Sequence, residues 1–152
     1  MLFRLIGAVA GMAFAACASA PQAKAPGGAR VDIGITFEDL NEAAKAACQW
    51  IWDHEPKAQK WEYCGALYEG EDGIRVTIPI TMYGGTCGSP AGPPHAPEGT
   101  LLLGKYHSHR FEPEPSGGDL RIAKKYPSLG LFLCAPSRIV RRFSTEGTVI
   151  VK

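Results

Sequence analysis

One run constrains this chain more than any other: Leu101, Leu102 and Leu103, then Gly104-Lys105-Tyr106-His107-Ser108-His109-Arg110. It is too apolar for a surface loop and reads as a buried strand. His107 and His109 stand two apart at its end, so a strand projects both side chains to one face. Pro113, Pro115, Gly117 and Gly118 force an irregular loop, after which Asp119 is expected to open a helix running to Lys125. Two imidazoles and a carboxylate at a helix start can converge on one metal ion. Zinc takes such nitrogen and oxygen ligands at roughly 2.0–2.2 Å, and catalytic sites combine three protein ligands with a water. His107, His109 and Asp119 are therefore the candidate Zn2+ ligands. Each has a plainer reading: strand histidines are often spacers or satisfied core residues, and aspartate is a favoured N-cap.

The rest of the composition fits one exported domain. The chain has 152 residues, 45% hydrophobic and 20% charged, with a formal net charge of +1. That supports a single α+β globular domain, and the near-neutral balance carries no footprint for nucleic acid. Residues 1–20 read as a signal peptide or lipoprotein signal: Arg4 supplies a positive charge, and Leu5 through Ala16 form an apolar run too short for a conventional span. Phe14-Ala15-Ala16-Cys17 resembles a bacterial lipobox, which makes Cys17 a candidate membrane tether, with cleavage between Ala18 and Ser19 as the alternative. Residues 21–30 are a flexible linker and 31–152 the folded domain. Either cleavage route puts the domain outside the cytoplasm, in the periplasm or on an outer-membrane lipoprotein. There Cys48, Cys64, Cys87 and Cys134 are an even set, open to three pairings in an oxidising compartment.

Val31, Ile33 and Ile35 alternate as in a strand. Thr36 before Phe37-Glu38-Asp39 has the look of a capping box. Leu40, Ala44, Ala47, Trp50 and Ile51 form the stripe of a long helix that ends near Pro56. Trp61 through Tyr68 is a strand carrying Glu62. Glu69 through Gly73 is a hairpin turn, and Ile74 to Ile80 is the partner strand, with Val76, Ile78 and Ile80 on one face. Gly84 to Gly99 is a long Gly- and Pro-rich loop of the kind that borders binding grooves; His95 within it reads as solvated. Three strands follow the second helix, at Leu129–Cys134, Ser137–Phe143 and Thr148–Val151. The middle one carries Arg138, Arg141 and Arg142 on a largely solvated edge. A long helix packed on a mixed sheet, with a short helix after the histidine strand, is the expected architecture.

Three motifs together resemble the JAB/JAMM (MPN-type) zinc metallopeptidases. Glu62-Tyr63-Cys64-Gly65 is similar to that superfamily's Glu-x-Cys-Gly strand, Tyr106-His107-Ser108-His109 to its His-x-His strand, and Ser116-Gly117-Gly118-Asp119 to its Ser-x-x-Asp helix start. Their order matches, and the likeness spans roughly Thr36 to Phe143, closest to a bacterial branch of unassigned function. Arg110 stands where a proline is usual, and the loop from His109 to Ser116 is one residue short. The resemblance implies a cytidine-deaminase-like α+β domain.

The same residues suggest a chemistry. Zinc lowers the pKa of its bound water to about 7. A carboxylate outside the ligand set must then take a proton and pass it to the leaving amine, and Glu62 is the candidate acid/base. Ser116 is the candidate oxyanion donor, with a helix cap as its ordinary role. These residues imply an amide hydrolase, peptidase or isopeptidase, acting on a peptide, protein or cell-wall substrate. The competing expectation is a non-catalytic module that recognises a peptide or cell-wall component through the Gly84–Gly99 loop.

Overall fold

The computed structural model describes residues 32–81, 96–111 and 114–152. The expected signal segment and linker, Cys17, Cys87, His95 and most of the Gly84–Gly99 loop lie outside the described residues. Within them the chain is α+β: two helices and a mostly antiparallel, mixed sheet of eight strands. In chain order these are β1 (Asp32–Phe37), α1 (Leu40–His54), β2 (Tyr63–Gly70), β3 (Gly73–Thr77), β4 (Ile80–Thr81), β5 (Leu102–Ser108), α2 (Gly117–Lys125), β6 (Gly130–Cys134), β7 (Val140–Ser144) and β8 (Gly147–Ile150). The sheet runs β1-β3-β2-β5-β6-β7-β8, with β4 pairing to the start of β2. Its one parallel pair among the described strands is β5 with β6, joined by α2.

The two faces of this sheet are packed differently. On one, α1 lays Ala43, Ala44, Ala47, Cys48 and Ile51 against Leu67, Val76, Tyr106 and Phe132. The Cys48–Cys134 disulfide ties that helix to β6, selecting one of the three pairings left open by the sequence. Cys64 is also disulfide-bonded. On the other face a smaller cluster of Ala123, Leu131, Leu133 and Phe143 sits beneath α2.

Several boundaries differ from the expected ones, each for a local reason. Asp39, not Thr36, caps α1: its carboxylate accepts from the Asn41 and Glu42 amides at 2.8 and 3.0 Å. Thr36 belongs instead to β1, paired with Arg75. Ile33 is buried but Ile35 is exposed, because Gly34 takes a positive φ of 78° and the β1–β3 register shifts around it. The expected Ile74–Ile80 strand ends at Thr77, ahead of Pro79, which lacks the N–H a ladder needs; Ile80 is exposed and pairs with Cys64 as a separate short strand.

Candidate metal centre

Pairing of β2 with β5 builds the site. Cys64 lies opposite His107 and Gly65 opposite Tyr106. Glu62 is not within the strand as expected but one residue before it, and His109 is one residue past the end of β5, so both flank the last paired residues. The buried Ser108 hydroxyl accepts the Tyr63 amide at 2.9 Å, pinning the start of β2 at that level. Gly65 must lack a side chain, because a Cβ there would lie 2.2 Å from the Tyr106 ring. That ring is anchored in turn by its hydroxyl, which donates to the Thr77 carbonyl at 2.7 Å. Strand parity then sends Tyr106 and Ser108 to the α1 face, while His107 and His109 point to the α2 face. Phe143 meets the His107 ring edge-on, with centroids 6.1 Å apart.

Helix α2 brings the third group. Ser116, not Asp119, is its N-cap, and Asp119 sits three residues in as the acid of a reciprocal capping box. The Asp119 carboxylate accepts both the Ser116 amide at 2.7 Å and the Ser116 hydroxyl at 2.6 Å. Held this way, it meets both imidazoles. His107 Nε2 lies 3.2 Å from Oδ1, His109 Nε2 lies 3.3 Å from Oδ2, and the two Nε2 atoms are 3.2 Å apart. Three ligands bound tetrahedrally to one ion at the usual distances lie about 3.4 Å from one another. The two imidazoles meet different oxygens of the carboxylate, and with one ligand atom from each residue the three lie within 4.8 Å of one another, so His107, His109 and Asp119 form a cluster that could hold a metal ion.

The electrostatics agree with a site that concentrates charge. Burial works to raise the Asp119 carboxyl, but hydrogen bonds from His107 and His109, the charge of His107 and the Ser116 hydroxyl outweigh it, holding it well below the usual carboxylate range. Glu62 moves the other way. Desolvation raises it above the ordinary glutamate value, opposed by the charges of His109, His107 and Arg110 and reinforced by Asp119. The two carboxyls beside the imidazoles are thus shifted in opposite directions, Asp119 by its partners and Glu62 by its burial.

All five residues singled out in the sequence therefore fall in one neighbourhood: His107, His109 and Asp119 touching, Glu62 within their electrostatic reach, and Ser116 bonded to Asp119. One neighbour was misjudged. Arg141 does not lie on a solvated edge; its side chain is 14% exposed and its Nε bonds Glu114 at 3.2 Å. It sits on the α2 face of β7, opposite Leu133, which is paired on its other side with His107. The overlooked signal is parity, since Arg141 stands two residues before the inward Phe143. Arg138 and Arg142 are exposed as expected.

Comparison with known proteins leaves the site to speak through its geometry: no protein-family model and no curated protein matches the chain.

Proposed function

We propose that this chain is an exported zinc-dependent amide hydrolase of JAB/JAMM type, with residues 31–152 as the hydrolase domain. The observation that carries the reading is the His107–His109–Asp119 triangle with a raised, non-ligand carboxylate, Glu62, beside it. Oxygen and nitrogen donors without a thiolate suit zinc among the common divalent ions that catalyse hydrolysis. A zinc ion held there supplies Lewis acidity and makes a coordinated water more acidic.

The chain's own residues do the rest. Glu62 takes a proton from the attacking water and returns it to the leaving amine, and burial, which raises its pKa, makes it a stronger base than an exposed glutamate. Ser116 orients the Asp119 carboxylate through the capping box. Donation to a developing oxyanion requires its hydroxyl to turn away from Asp119. The Cys48–Cys134 disulfide is compatible with an exported, oxidising setting, and the signal segment and Cys17 tether belong to the same reading. The substrate class in this proposal is a peptide, protein or cell-wall amide, with no nucleic acid.

Zinc analysis of the purified protein tests it, beside a His107→Ala/His109→Ala double variant. One zinc per chain in the parent and none in the variant is the expected result. Glu62→Gln should keep the zinc and lose about 10²–10⁴-fold in amide hydrolysis. A folded parent that takes up no zinc would end the hydrolase reading and leave a binding domain.

A further inference from the structure

A second feature lies around the end of β5 from the metal centre. A cleft of about 550 Å³ opens between the end of α1 and the turn after β6, lined chiefly by Trp52, Glu55, Pro56, Arg110, Phe111 and Arg138. Two of its lining residues, Trp52 and Arg110, each keep one buried side-chain nitrogen, Nε1 and Nε, without a hydrogen-bond partner among the described residues. Those two atoms are closed to solvent, so a ligand in the cleft meets the terminal nitrogens of the Arg110 guanidinium.

The charges in the cleft sharpen this. Arg138 is committed, pairing with Asp53 at 2.9 Å. Glu55, the lone acid of the lining, is engaged by the Tyr63 hydroxyl. Arg110 is the cation left over: among the described residues its guanidinium makes no hydrogen bond or ion pair, and it lies 5.4 Å from the Phe111 ring centroid. Phe111 is itself 76% exposed at the rim, a large apolar surface facing solvent with Trp52 across the cleft. A guanidinium without a partner of its own, in a cleft also lined by Trp52 and Phe111, is complementary to a carboxylate next to an apolar side chain.

We propose that this cleft is a carboxylate-binding subsite, anchored by Arg110, that seats an anionic group of a peptide beside an apolar residue packed on Trp52 and Phe111. The charge of Arg110 acts on Glu62, so a group seated on the guanidinium lies within electrostatic reach of the metal centre's carboxyl. That the peptide is the substrate of that centre rests on the hydrolase reading; binding in the cleft does not. The carboxylate can come from a chain terminus or from an acidic side chain, and the probes separate the two.

The test uses calorimetry on the purified protein with three peptides: acetyl-Ala-Ala-Ala-Phe as the free acid, the same peptide as its amide, and acetyl-Ala-Asp-Ala-Phe amide. One of the two acidic peptides should bind about ten-fold or more tightly than the neutral amide, as expected for a charge-assisted hydrogen bond. Preference for the first identifies the terminus as the source, preference for the second a side chain. Arg110→Gln should abolish the preference while zinc content and melting temperature hold.

Each measurement is repeated after chelation, because a carboxylate can also bind a metal ion. A preference that survives chelation belongs to the cleft, even if the parent proves to bind no zinc and the hydrolase reading falls. Equal binding of all three peptides, a preference that disappears with the metal, or one that survives Arg110→Gln would overturn the proposal.

Discussion

The face of the sheet under α1 and the face under α2 are made from alternate residues of the same strands, yet they are built for different ends. Under α1, Ile51, Leu67, Val76, Tyr106 and Phe132 are fully buried in one continuous cluster, and a disulfide closes it. Under α2, the buried apolar cluster is small, and the neighbouring positions hold two histidines, an aspartate, a glutamate and an arginine. Polar and charged groups are tolerated there, although largely buried, because they meet one another: both histidines with Asp119, Asp119 with Ser116 and Arg141 with Glu114. One face carries stability, and the other is free to carry chemistry.

Four measurements would break or sharpen that division. The largest effect on folding is expected from the α1 face: Phe132→Ala should lower unfolding free energy by about 3–5 kcal/mol in urea titration. Metal uptake per folded molecule should not change, and a variant that stays folded but loses its metal would show that the faces are coupled. Replacing Cys48 and Cys134 together by alanine removes a cross-link spanning 86 residues and should cost about 2–4 kcal/mol. Metal affinity should again be spared.

Ser116→Ala on the opposite face should reverse the pattern. Loss of the cap costs about 1 kcal/mol of stability. Loss of the hydroxyl that orients Asp119 should weaken metal affinity about 10- to 100-fold, as for other groups that position a ligand. An unchanged affinity would mean the capping box serves the helix alone.

The smallest effect is in the pH dependence of the metal-free protein. The Asp119 carboxyl is depressed in the folded state, so its contribution is fully present above the unfolded value of about 4 and is lost as pH falls towards the folded one. Between about pH 5 and 2 the parent should therefore lose stability faster than Asp119→Asn. Parallel curves for the two would show that the imidazole–carboxylate contacts contribute nothing to folding.

Much of this division was legible in the residues, and the parts that were not have identifiable causes. Period 2 alone placed His107 and His109 on one face, and a period near 3.6 marked the α1 stripe, because both signals are local and repeat. Glu62 drew attention as an acid in an apolar run and through its Glu-x-Cys-Gly resemblance; its place within reach of His109 follows from strand pairing that no single segment contains. Helix starts slipped where two residues competed to cap: Asp39 and Ser116 won because the residues before them were already held, Thr36 in the β1 ladder, or because the Ser116 box satisfied both partners at once.

By itself, then, the sequence determined the α+β class, the element order and the chemical character of each candidate ligand, since these depend on composition and short-range periodicity. Tertiary structure alone decided which cysteine meets Cys48, which face Arg141 occupies and that Trp52 and Arg110 share a cleft. Each of those joins residues far apart in the chain, and such contacts are set by how strands align and helices pack, which no local pattern records.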